Sequence, residues 1–152
     1  MRELSCREVY LLEECLKELA EHHNEVSANF RGCFPKRPFQ ETMKSFEKDV
    51  GSGRSRIAVI EKENRILGFC KADICRDEGT IDYLIVLKAY RGSGYGDRLL
   101  DWALNLLRTS GVSRIEVKVV DGNDAVRFYE KHGFRTVSHV LRLQTAENMG
   151  TG

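Results

Sequence analysis

An apolar run from Ile81 to Leu87 passes through Tyr90 into Arg91-Gly92-Ser93-Gly94-Tyr95-Gly96, and a helical pattern follows. This strand, glycine-rich turn and helix constrain the chain more than any other feature. The helix, with Leu99, Leu100, Ala103, Leu106 and Leu107 on its inner side, stops at Gly111, and a second strand-like run spans Arg114 to Val120. A strand, a helix and another strand in that order make two parallel neighbours joined by a right-handed crossover. Glycines let the main chain approach an anion, and the unpaired N–H groups of the helix start point at it. The unit is therefore built to hold a phosphate.

The rest of the chain sets the frame around that unit. Ser5 and Glu8 form a capping box, and Leu12, Cys15, Leu16 and Leu19 recur at helical spacing, which predicts a first helix over Cys6 to His23. Asn24 to Pro38 reads as a long loop, and Phe39, Met43, Phe46 and Val50 mark a second helix ended by Gly51-Ser52-Gly53. Three strands, Arg56 to Glu61, Arg65 to Cys75 and Thr80 to Leu87, are joined by short turns that imply antiparallel hairpins. A helix over Asn123 to Lys131 and a last strand, or pair of short strands, over Phe134 to Leu143 complete the order. The expectation is a mixed α/β fold, a central mixed sheet with helices on both faces. The 152 residues suit one domain over 1–145, with a polar frayed tail over 146–152.

Composition excludes several classes. The formal net charge is +1, so no strong field favours nucleic acid or an anionic membrane. No apolar run approaches a membrane span, and Met1-Arg2-Glu3-Leu4 leads straight into a charged amphipathic segment, which predicts a cytoplasmic protein. The five cysteines show no metal-ligand spacing, so no metal is expected and the thiols read as free. Cys70 and Cys75 are packing residues in a strand, with nucleophilic attack as the alternative use of either.

Three kinds of glycine-rich loop compete for Arg91 to Gly96. A phosphate loop of the Walker type needs Gly-Lys-Ser/Thr at its end, which Gly96-Asp97-Arg98 lacks. A dinucleotide fingerprint needs its third glycine one place later and opens its domain without hairpins ahead of it. The third is the acyl-coenzyme A loop, whose fixed places Arg91, Gly94 and Gly96 fill. A second segment, Asn123-Asp124-Ala125-Val126-Arg127-Phe128-Tyr129-Glu130-Lys131-His132-Gly133-Phe134, resembles the other signature of the GNAT superfamily of acyl-CoA-dependent N-acetyltransferases. Leu84-Ile85-Val86 and Tyr90 match the strand and turn before the loop, so the resemblance covers about residues 80 to 135. Lys88-Ala89 departs from it, standing where many members carry proline, and the chain before Ser5 is short for a long first strand.

The resemblance implies a splayed parallel strand pair that holds acetyl-CoA. It assigns the Leu84, Ile85 and Val86 backbone to the pantetheine arm, with an N–H near Val86 donating to the thioester oxygen. It assigns the pyrophosphate to Arg91, Gly92, Ser93, Gly94, Tyr95 and Gly96, and adds Asn123 (also the helix cap) and Phe128 along the arm. Tyr129 becomes the group that protonates the leaving thiolate. Asp82 lies two residues before Leu84, hence on the same side of an ideal strand, and is the first candidate for the base. His139, His22, His23 and Glu25 are the others, and ordered water is the alternative to all of them. Glu25, Phe30, Phe34 and His139 are the candidate acceptor residues. The implied activity is acetyl transfer to a primary amine by direct attack in a ternary complex, the acceptor a small molecule. Peptide N-terminal or lysine acetylation and a non-catalytic acyl-CoA sensor are the rival readings, and a homodimer is left open.

Overall fold

A computed structural model of the chain describes residues 1–35, 37–120 and 122–145. The centre is a run of hairpins: β2 (Ser55–Lys62), β3 (Arg65–Cys75) and β4 (Glu78–Val86), each antiparallel to the next. Glu63 and Asn64 both take positive φ, +51° and +64°, the conformation a two-residue hairpin turn needs to match strand twist. β1 (Arg2–Glu3) adds a two-residue edge to β2, and β5 (Arg114–Val117) adds a parallel edge to β4, giving the order β1-β2-β3-β4-β5. The expected mixed sheet is present.

Helices cover both faces. The first predicted helix divides: Cys6–Leu12 is a 3-10 turn, and α1 runs from Glu13 to Val26, three residues past the expected His23. The capping box closes the start, with Glu8 Oε1 accepting from the Ser5 N–H at 3.0 Å. α2 (Phe39–Gly51) packs beside α1, and their apolar faces cover Ile57, Val59, Phe69 and Ile85. On the opposite face, α3 (Tyr95–Thr109) and α4 (Ala125–Lys131) cover Ala58, Ile60, Leu67, Cys70, Ala72 and Ile81.

Two departures from the sequence expectation bear on the site. The register slips between Lys71 and Ala72, which face Tyr83 and Ile81, so Asp82 is an extra residue in β4, a β-bulge. A bulge reverses the alternation beyond it, and Ile81 and Leu84 consequently join the α3–α4 core while Tyr83 joins the other. The second departure is at the C-terminus. No strand forms over residues 134–143: Val137, Val140, Leu141 and Leu143 are exposed in irregular chain. A strand needs a neighbour to pair with, and the segment pairs with no β5 residue. The tail expected to fray, 146–152, lies outside the described residues.

Candidate active site

The site begins where β4 and β5 part. Their parallel ladder runs from Glu78↔Arg114 to Ile81↔Val117 and ends there, while β4 continues to Val86. Leu87 N–H donates to the Leu67 carbonyl across the β3 ladder at 2.8 Å. Main-chain groups alternate in direction along a strand, so those of Ile85 also turn toward β3 and those of Leu84 and Val86 turn into the split. Of the three residues assigned to the arm, Ile85 is thus withdrawn: its amide belongs to the ladder and its side chain to the α1–α2 core.

The split runs on into the turn. Arg91 Nε donates to the Val86 carbonyl at 3.0 Å, bracing the strand end against the loop. Gly92 and Gly94 take φ of +85° and +82°, a region closed to most side chains, so the two glycines carry the loop geometry. α3 opens at Tyr95, and the first carbonyl to accept within it is that of Gly94, from Arg98 N–H at 3.1 Å. Among the described residues no backbone carbonyl accepts from the N–H groups of residues 92–97. Six consecutive donors at the positive end of a helix dipole suit a pyrophosphate. Gly96 differs from Gly94: a Cβ there would meet the Phe128 ring at 3.6 Å, an ordinary contact.

α4 forms the other wall. It starts two residues later than expected, and Asn123 caps it from outside, Oδ1 accepting from Ala125 N–H at 3.0 Å. Phe128 stands edge-on to Tyr129 at 5.2 Å, and Tyr129 stands edge-on to Phe134 at 5.5 Å. Tyr129 is only 7% exposed, and its hydroxyl makes no hydrogen bond among the described residues. Since no fully buried side-chain polar atom lacks a partner there, that oxygen reaches accessible space. Burial, with a smaller effect from the nearby Cys70 thiol, holds the phenol above its ordinary value, so it keeps its proton across the neutral range. Sequence reasoning missed His132, whose Nε2 lies 2.8 Å from Asp97 Oδ1 and ties the end of α4 to the first turn of α3.

The base candidate sits elsewhere than period-two alternation would put it. Because of the bulge, Asp82 does not share the face of Leu84. It turns toward α2 and meets Lys71 Nζ at 2.7 Å. Lys71 is 1% exposed and also bonds Asp73 at 2.8 Å and Asp49 at 3.3 Å, with the Phe46 ring 5.0 Å away. Burial raises the Asp82 carboxyl and Asp73 adds to the rise, against the Lys71 ammonium that pulls it down. Lys71 itself stands above the ordinary lysine value, because its bonds to Asp73 and Asp82 outweigh its burial. Sequence reasoning missed Lys71 too. Its signal was a lysine inside the otherwise apolar run Leu67 to Ala72 of a central strand.

The remaining candidates scatter around the α1–α2 loop. Phe34 stands edge-on to His23 at 5.2 Å, and the Asn24 carboxamide knits the loop by accepting from Gly32 and Phe34 N–H. A Cβ at Gly122 would collide with the Val26 carbonyl, so the loop before α4 packs directly on the end of α1. Arg142 lies over the Phe30 ring at 5.5 Å. Glu25 is exposed, and His139 is exposed in the irregular C-terminal segment rather than on a strand. Cys70 and Cys15 are both fully buried, out of reach of an acyl group, and desolvation pushes both thiols up, Cys15 to about 12. Among the described residues no cluster suits a metal ion, and no helix is long and apolar enough to cross a membrane.

A split parallel pair, a donor-lined turn and a helix N-terminus thus lie next to one another at the end of β4. The chain belongs to the acetyltransferase (GNAT) family, whose profile matches residues 10–134. It is 34% identical over 93 residues to the ribosomal protein bS18-alanine N-acetyltransferase of Haemophilus influenzae, covering 61% of this chain and 63% of that one. It is 34% identical over 85 residues to N-alpha-acetyltransferase 30 of Schizosaccharomyces pombe, covering 52% and 57%. These matches span less than two thirds of either relative. Among solved structures, a predicted acetyltransferase with acetyl-CoA from Clostridium acetobutylicum shares the fold with a TM-score of 0.73, at 17% identity and 94% coverage of both chains.

Proposed function

We propose that this chain transfers the acetyl group of acetyl-CoA to a primary amine by direct attack in a ternary complex. The observation that carries the reading is the strand split beyond Ile81 and Val117, continuous with the N–H groups of residues 92–97. A buried amide without a partner costs about 1–3 kcal/mol, and a pantetheine arm supplies the partners that β5 withdraws. The turn and helix start suit the pyrophosphate, and Phe128 suits the arm.

Bound acetyl-CoA supplies the thioester carbon that the amine attacks and the sulfur that leaves. Val86 N–H, directed into the split, donates to the carbonyl oxygen as charge builds on it. Ordered water in the split, relayed to Asp82 four residues (about 13 Å) back along β4, takes the proton the amine loses when the C–N bond forms. Tyr129 OH donates a hydrogen bond to the sulfur as the C–S bond breaks, and solvent supplies the proton that the departing thiolate takes up. The raised pKa of Tyr129 makes it a persistent donor rather than a strong acid, which suits a role in stabilising the thiolate.

The acceptor is read as a small primary amine that enters beside Glu25, Phe30 and Phe34. A second reading, a peptide N-terminus, is favoured by the names of two relatives, one an alanine N-acetyltransferase of a ribosomal protein and the other an N-alpha-acetyltransferase. Calorimetry with acetyl-CoA, followed by thiol release over a panel of polyamines, aminoglycosides, lysine derivatives and alanyl peptides, tests all of these. Release above the amine-free rate is expected with one class. Binding without release would leave a sensor, and no binding at millimolar acetyl-CoA would end the reading.

A further inference from the structure

We propose that Lys71 is a positioning residue whose buried ammonium pins the bulged carboxylate of Asp82 at the point where β4 and β5 part. This rests on the reading of the split as the transfer site. Three facts coincide there. Asp82 is the first β4 residue beyond the last β5 pair, it is the bulge residue, and it bonds Lys71 Nζ at 2.7 Å.

The bulge gives Asp82 a freedom that a laddered residue lacks, since it faces no β3 partner. Something must hold its side chain if the carboxylate is to serve one place. Lys71, opposite Tyr83 in the register, is the group within reach. A buried ion cluster is a costly way to fill a core, and apolar replacements often match or exceed its stability. Lysine here therefore supplies orientation and charge rather than packing. The cluster is also lopsided: one ammonium serves Asp49, Asp73 and Asp82, and the Asp82 side chain, 36% exposed, is its most open member. The charge thus points outward through Asp82.

Among the described residues, the charged and titratable groups that face Asp82 are few. Lys71 and Asp73 come from β3, Asp49 comes from α2, and Tyr83 is its neighbour in β4. Arg37, just before α2, acts on Tyr83, and the Cys70 thiol lies on the other side of β3. Among the described residues Lys71 is thus the cation that binds Asp82, and Asp73 is its main competitor for that cation.

The test uses the full chain with aspartate carboxyls labelled with carbon-13, the Asp82 signal being the one lost in Asp82→Asn. In Lys71→Met the Asp82 titration midpoint is expected to rise by about one unit or more, because two carboxylates remain and the cation is gone. In Asp73→Asn, an isosteric change for the case where Lys71→Met does not fold, it is expected to fall. The acid limb of the pH–rate profile for thiol release, measured with acetyl-CoA and alanyl-peptide or spermidine acceptors, is expected to move in the same two directions. The KM for acetyl-CoA is expected to stay. A midpoint that ignores both substitutions, or one that moves while the acid limb stays, overturns the assignment of Lys71. Asp82→Asn with wild-type turnover and an unchanged acid limb would instead remove Asp82 from the transfer itself.

Discussion

The two faces of the sheet solve different problems with different materials. The face under α3 and α4 is apolar: Leu99, Leu100, Ala103 and Leu107 are fully buried on Ala58, Cys70 and Ala72, and among its described buried residues the one polar tip is the Tyr129 hydroxyl. The face under α1 and α2 buries Val9, Leu12, Phe46 and Phe69, yet also takes in Lys71 with three carboxylates around it. The contrast fits a division of labour. A long carrier held by main-chain amides needs a rigid, dry support and no side-chain charge. A carboxylate taken into a core needs a cation, and Lys71 supplies it to three.

Disturbing the packing of the apolar face should have the greatest effect. Leu100→Ala should cost about 2–5 kcal/mol in urea unfolding, as buried leucine truncations do. A loss below about 1 kcal/mol would mean that the α3 face is looser than its burial implies. Tyr129→Phe should lower kcat about a hundredfold while changing stability by roughly 1 kcal/mol or less. Wild-type turnover would reduce Tyr129 to one more packing residue on the apolar face. Gly94→Val, strained at φ +82°, should weaken acetyl-CoA binding about tenfold by calorimetry, for strain of about 1–3 kcal/mol. Unchanged affinity would detach the turn from the carrier.

Tyr129 also yields a pH test. Its folded pKa stands above its unfolded value, so the folded chain holds this proton the more tightly. Its contribution is complete below the ordinary phenol value of about 10 and is lost as pH rises beyond it toward the folded value. Urea midpoints should therefore fall above about pH 10, and fall less steeply in Tyr129→Phe. Equal slopes would mean that the hydroxyl is solvated as in the unfolded chain. The smallest effect is expected outside both faces: Leu141→Ser, at 92% exposure, should change stability by no more than about 0.5 kcal/mol. A loss of several times that would show the C-terminal segment packed on the sheet.

The apolar face was legible in the chain itself. Leucines at helical spacing in α3, glycines at 92 and 94, and the run into Ala125–Lys131 are local patterns, and local patterns predict elements well. The charged face was far less legible. Strict alternation would place Asp82 beside Leu84, and one inserted residue at the bulge reverses that placement. Lys71 and Asp49 are 22 residues apart, and nothing in either segment announces the pairing. The final strand failed for a related reason: Phe134 to Leu143 carries β-forming residues, but pairing is a property of two segments.

Composition and periodicity determined the helices, the hairpins, the glycine-rich turn and the crossover, because each depends on dihedral preference and on side-chain spacing within a few residues. Tertiary structure alone decided where the parallel ladder stops, which way Asp82 turns and which amides are left without a strand. Those depend on register, and register is set by the fit of whole faces against their helices, where one extra residue redirects every side chain beyond it.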